Sequence, residues 1–205
     1  YIIGRGIGHG GFGITYLAWD TKLEIAVAVK EYYPCGIVNR VPGTTDVILF
    51  AGSRKKQFSF GFSRFLEEAK NMAQFSSHKN IDNVFEYFEA NHTAYIVMEY
   101  LDGVPLDRYL TEHGGKLTPE ETVRFVLMIC NALKEIHKKG IIHRDIAPDN
   151  IMVTTEGEAK LIDFGAARYA TTTHSRSLTV IIKEGFSPEE QYRSRGEQGP
   201  YTDVY

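Results

Sequence analysis

The stretch from Ile141 to Gly165 constrains this chain more than any other. It contains His143-Arg144-Asp145-Ile146-Ala147-Pro148-Asp149-Asn150-Ile151-Met152 and, further on, Leu161-Ile162-Asp163-Phe164-Gly165. Asp145 and Asp163 lie 18 residues apart, enough for a hairpin of short apolar strands that returns the second carboxylate to the mouth of the cleft holding the first. Upstream, Thr118-Pro119-Glu120-Glu121 supplies an N-cap, a proline at the first helical position and a capping-box glutamate. A helix is predicted from there to Gly140, which tolerates the left-handed conformation that ends helices. Val123, Val126, Leu127, Cys130, Leu133 and Ile136 or His137 are its expected buried stripe.

The first hundred residues read differently. Tyr1 to Ile3, Ile14 to Ala18, Ile25 to Lys30 and Tyr95 to Glu99 are β-branched or aromatic runs between turn signals. Among them Phe62, Phe65, Ala69, Met72 and Ala73 recur at helical steps. A Gly-containing run near Leu101 to Val104 joins the halves, and such a joint is a common place for a ligand cleft. Gly8-His9-Gly10-Gly11-Phe12-Gly13 fits a phosphate-approaching glycine loop, and equally a plain hairpin turn. A strand, Ile14 to Ala18, follows where a dinucleotide fold needs a helix, which excludes that fold. Lys30 ends the apolar Val27-Ala28-Val29, so its ammonium needs an anionic partner. Glu67 and Glu68 on the predicted helix both qualify, or either faces solvent.

Taken in order, these motifs resemble the protein kinase family: the glycine loop, Val-Ala-Val-Lys, the His-Arg-Asp segment ending in Asn150, Asp163-Phe164-Gly165, and Gly185-Phe186-Ser187-Pro188-Glu189. The resemblance spans almost the whole chain, and Phe12 to Ala18 with Lys30 to Pro34 is most similar to bacterial serine/threonine kinases of the eukaryotic-like type. It implies an α+β, bilobal fold. A small antiparallel β lobe with one main helix (residues 1–101) precedes a mainly helical large lobe (102–205), truncated at its C-terminal end, with further helices expected after Tyr205. It selects Glu68 as the partner of Lys30. It implies that Asp145 accepts or orients the proton of a protein Ser/Thr hydroxyl, that Asn150 and Asp163 bind Mg²⁺, and that Asp203 supports the catalytic loop. ATP would be held by Ile7, Gly8, His9, Gly10, Gly11, Phe12, Gly13, Lys30 and the gatekeeper Met98. Glu99 and Leu101 would meet adenine through backbone groups, with Thr15, Ala28 and Met152 around the purine. His143 reads as a packed structural histidine.

Three departures matter. Ala147 stands where most serine/threonine kinases carry a lysine that contacts the γ-phosphoryl group. Thr15 replaces a valine, and Ser187 an alanine. The stretch 31–62 is longer than expected, with Val47 to Phe50 reading as an additional strand of unassigned role. Arg144 is, by resemblance, the receiver of an activation-loop phosphate, with Thr171, Thr172, Thr173, Ser175, Ser177 and Thr179 as candidate sites, by autophosphorylation through self-association among other routes. Two alternatives stay open: a pseudokinase scaffold, motivated by Ala147, and a small-molecule kinase of the aminoglycoside type.

Charge and composition narrow the partners. A net charge of -3 argues against nucleic acid as a main partner. No apolar run is long enough to cross a bilayer. Two cysteines without CxxC spacing, Cys35 and Cys130, read as packing thiols in a reducing setting. The cytoplasm, or the cytoplasmic face of a membrane, is the expected location.

Overall fold

The computed structural model describes residues 1–50, 54–164, 168–169, 183–193 and 196–205. The chain forms two compact units: residues 1–76 with 83–101, and residues 77–82 with 102–205. Residues 77–82 thus pack with the second unit although they precede the 101/102 boundary.

The first unit is built on an antiparallel sheet in the order β1 (Ile2–His9), β2 (Gly13–Asp20), β3 (Ile25–Tyr32), β7 (Thr93–Glu99), β6 (Val84–Ala90). Register follows from alternation. Ala18, Val27, Val29, Tyr95 and Val97 point to one face and form a buried cluster. Thr15 opposite Lys30, and Ala28 opposite Met98, point to the other. Helix α1 (Lys55–Ala73) buries Phe65, Glu68, Ala69, Asn71 and Met72, while Phe62 is only partly buried and Ala73 is exposed. Ala73 therefore falls outside the expected stripe, because the helix meets the sheet one residue earlier in its last turn.

The long stretch after β3 does carry the additional strand. β4 (Val38–Arg40) pairs with β5 (Val47–Leu49), and Ile37, Val38 and Val47 bury themselves against Tyr33, Leu49 and Phe58. Arg40 reaches back to Glu31, with 2.6 Å between guanidinium and carboxylate. Glu31 is 1 % exposed and also accepts from the Tyr16 and Tyr95 hydroxyls, each at 2.9 Å. This hairpin thus neutralises a buried carboxylate that β3 would otherwise carry unpaired.

The second unit begins with β8 (Gly103–Pro105) and α2 (Leu106–Glu112), followed by α3 (Pro119–Lys138). The capping box at Thr118 and Glu121 forms as the sequence predicts. Gly140 follows with φ +73°. The buried stripe of α3 is Phe125, Ile129, Ala132, Leu133 and Ile136, packed on β9 (Ile141–Ile142) and β11 (Ala159–Leu161). Val123, Val126, Leu127 and Cys130 are exposed. This corrects the expected stripe. The helix is apolar on two faces, so periodicity alone cannot choose between them, and β9 and β11 select the one centred on Ile129. Cys35 is exposed as well, so neither cysteine is a packing thiol.

Strand β10 (Ile151–Thr154) lies between β11 and β8, and β9 pairs with β12 (Arg168–Tyr169). A short helix, α4 (Glu189–Tyr192), and a 3-10 turn, Pro200–Asp203, complete the unit.

Candidate active site

In the first unit the glycine loop bridges β1 and β2 as a hairpin. Gly10 N–H donates to Gly13 carbonyl at 2.9 Å. The glycines differ in what demands them. A Cβ on Gly13 would come within 2.3 Å of the Glu31 carbonyl oxygen, so the strand pairing itself requires glycine there. Gly10 and Gly11 would meet nothing within 4 Å, so packing within the chain does not explain them. Lys30 Nζ lies 2.7 Å from the Glu68 carboxylate, with side chains 18 % and 7 % exposed. Glu67 instead faces outward toward Arg64 at 3.5 Å, which separates the two candidate carboxylates. Met98 is buried on β7, and Glu99 ends that strand.

In the second unit the loop after β9 carries His143, Arg144 and Asp145, and a 3-10 turn, Pro148–Asn150, leads into β10. Asn150 donates its amide to the Asp145 carbonyl and to the Asp145 carboxylate, both at 2.8 Å. This leaves the side-chain Oδ1 of Asn150, a hard donor distinct from its backbone carbonyl, available to a ligand. β10 and β11 pair with Ile151 opposite Leu161, and Ile162 N–H closes the hairpin on the Asn150 carbonyl at 3.0 Å. The chain reaches Asp163 one residue later. Asp163 and Asn150 therefore emerge from the same end of one hairpin. Met152 sits on β10, opposite Pro105 and Lys160.

This geometry depends on strained backbone. Arg144 and Asp163 have φ of 72° and 62°, a region that costs a non-glycine residue about 1–3 kcal/mol. Asp203 holds the first of them. Its carboxylate accepts from the backbone N–H of Arg144 at 2.6 Å and of His143 at 2.8 Å, and lies 2.7 Å from the His137 ring. Gln191, from α4, donates to the Arg144 carbonyl at 2.8 Å. The His143 ring is enclosed against Phe164, with centroids 4.9 Å apart. Burial pushes its pKa down, against the pull of the Asp203, Asp163 and Asp145 charges. Its Nδ1 accepts from Asp145 N–H at 3.3 Å, a role only a neutral ring can fill.

The family model for the protein kinase domain matches residues 1–205. This chain belongs to the protein kinase family. The kinase PrkC of Bacillus subtilis is 32% identical over the whole chain, which spans 28% of that protein. PknB of Mycobacterium tuberculosis is 34% identical over the whole chain, which spans 30% of it. Both are named serine/threonine-protein kinases. Among solved structures, the apo form of PpkA-294 aligns at a TM-score of 0.86 and 33% identity, over 99% of this chain and 70% of that one. The small antiparallel lobe with one main helix is accordingly a kinase small lobe. The chain spans less than a third of the length of PrkC and of PknB.

Sequence reasoning did not find Lys183, Gln191 or Arg40. Lys183 lies 2.6 Å from one Asp149 oxygen and 3.4 Å from Asp145. The only sequence signal for it was a lysine shortly before Gly185-Phe186-Ser187-Pro188-Glu189, in a family member lacking one at position 147. Thr171, Thr172, Thr173, Ser175, Ser177 and Thr179, and Gly165 after Asp163-Phe164, lie outside the described residues.

Proposed function

We propose that this kinase domain transfers the γ-phosphoryl group of Mg·ATP to Ser or Thr hydroxyls of proteins, itself included. The observation that carries the reading is the Asp145–Asn150 pair, locked by two hydrogen bonds at the end of the hairpin that also presents Asp163. Asp145 orients the acceptor hydroxyl and takes its proton. Asn150 and Asp163 fit Mg²⁺, which favours hard oxygen ligands completed by phosphate oxygens. Among the described residues no group of three or more His, Cys, Asp or Glu side chains suits a metal, so a metal here would share its shell with the nucleotide. Bound there, it would neutralise phosphate charge as the bond to γ-phosphorus shifts. Lys30, held by Glu68, receives the α- and β-phosphates. Gly10 and Gly11, where a Cβ would meet nothing within 4 Å among the described residues, let the backbone of the loop approach a phosphate closely. Ile7, Gly8, His9, Phe12, Gly13, Thr15, Ala28, Met98, Glu99, Leu101 and Met152 are assigned to the nucleotide. Arg144 is assigned to a loop phosphate.

Consumption of ATP and two exposed, unpaired cysteines favour a reducing, cytoplasmic setting. Among the described residues no helix is long and apolar enough to cross a membrane. The test is transfer from labelled Mg·ATP by the full-length protein to itself and to a generic basic protein, beside Asp145→Asn. Phosphoserine or phosphothreonine that disappears in the variant is expected. Nucleotide binding with no transfer to either acceptor would favour the scaffold reading instead.

A further inference from the structure

Ala147 removes a cation from the catalytic loop, and the fold brings another to the same loop from elsewhere. Lys183 Nζ donates to both oxygens of Asp149, at 2.6 and 2.8 Å, and lies 3.4 Å from Asp145 Oδ1. Asp145 and Asp149 flank Ala147 by two residues on either side. Ala147 itself is buried and offers only a methyl group. The Lys183 side chain is 28 % exposed, neither sealed in the core nor loose in solvent.

The backbone that delivers it is specified in detail. Lys183 N–H donates to Ser187 Oγ at 2.9 Å, and the Lys183 carbonyl accepts from the N–H of Phe186 at 3.0 Å and of Ser187 at 2.9 Å. Gly185 turns between them at φ +83°, a conformation that favours glycine. The serine that replaces the family's alanine thus makes a bond that alanine cannot. Burial lowers the Lys183 pKa, but the Asp149 hydrogen bond and the Asp145 and Asp149 charges outweigh it, so the net shift is upward and the group stays cationic.

We propose that Lys183 is a catalytic residue that supplies the γ-phosphoryl cation absent at position 147, with Asp149 and Ser187 as its positioning residues. The inference rests on the phosphoryl-transfer reading above. In the step, the acceptor hydroxyl oxygen bonds to γ-phosphorus as the bond from γ-phosphorus to the β,γ-bridging oxygen breaks. The hydroxyl proton passes to Asp145, and ADP leaves with the bridging oxygen. Lys183 transfers no proton. Its charge stabilises the equatorial oxygens of the phosphoryl group while its contact with Asp145 keeps the two groups in register.

The experiment compares wild type, Lys183→Ala, Lys183→Arg and the charge swap Lys183→Ala with Ala147→Lys, all in the full-length protein. One readout is kcat. The other is equilibrium preference for a non-hydrolysable ATP analogue over ADP, which needs no turnover. Lys183→Ala should lower kcat on the order of 10²-fold and reduce the preference for the triphosphate about tenfold, because one charge contact to the terminal phosphate is gone. Lys183→Arg should keep most of that preference, and the swap should regain at least tenfold in kcat. Lys183 is a structural clamp only, and the proposal is overturned, if Lys183→Ala leaves kcat within threefold and the preference unchanged, or if a folded swap gains nothing. Should the swap not fold, the preference of the two single variants still decides. If wild type itself transfers no phosphate, the phosphoryl-transfer reading fails and takes this inference with it. If wild type transfers and Lys183→Ala matches it, only this inference fails.

Discussion

Asp203→Ala is the perturbation that most directly tests how the catalytic loop is held. The Asp203 side chain is fully enclosed, and it accepts from two backbone N–H groups, those of His143 and Arg144. Truncation orphans both donors in the interior, at about 1–3 kcal/mol each. Part of this returns when Arg144 relaxes from its left-handed φ of 72°, which stores about 1–3 kcal/mol. A net loss of about 3 kcal/mol follows, and the relaxation that limits it also displaces Asp145. A shift of about 1 Å in a reacting group costs on the order of 10²-fold in rate. Asp203→Asn is informative beside it. An amide accepts at one atom and presents donors at the other, so one backbone N–H keeps its partner and the other meets an NH₂ group. We expect Asn to lie between wild type and Ala in urea unfolding, and both variants to lose kcat more than tenfold. If Asp203→Ala unfolds within 1 kcal/mol of wild type and keeps kcat within threefold, the strained loop is held by something other than this carboxylate.

The hairpin β4–β5 and the buried histidine make two further cases. Arg40→Ala leaves Glu31 buried with only two phenolic donors, at a cost of about 3 kcal/mol, the low end for a broken buried pair, because Arg40 is 32 % exposed. That amounts to a fall of about 6–12 °C in Tm. Adding Glu31→Gln should recover at least half of it in a thermal melt, and simple additivity of the two single variants would refute the pairing. For His143, burial lowers the folded pKa below the ordinary 6.5. The unfolded chain therefore takes up a proton that the folded one refuses. Stability from this group is fullest well above pH 6.5 and declines as pH falls below that value. His143→Phe should lose correspondingly less between pH 7.5 and 5.5 in chemical denaturation, and equal losses would show that His143 protonates freely in the fold.

The parts legible in the sequence are those decided within a few residues. The cap at Thr118 and Glu121, the stop at Gly140 and the additional strand at Val47–Leu49 all form, because capping, turn and alternation chemistry act locally. The kinase motifs were legible for the same reason. Lys30, the His-Arg-Asp loop with Asn150, and Asp163 are each recognisable from near neighbours. Even so, the choice between Glu67 and Glu68 came from family resemblance, since both lie on one helix and only docking against β3 distinguishes them.

The sequence by itself determined which chemical groups are available: a lysine on an apolar strand, an aspartate and asparagine on one loop, a second aspartate beyond a hairpin, and no lysine at 147. Tertiary structure alone decided which groups meet. It turned the Ile129 face of α3 inward and left Val126 and Leu127 outside. It set Asp203 under a loop 59 residues away, clamped Glu31 with Arg40, and brought Lys183 to Asp145 and Asp149 across 34 residues from the latter. The physical reason is range. Hydrogen bonds and ion pairs act over a few ångströms, so a contact between distant residues depends on the path of the whole backbone, which local spacing does not encode.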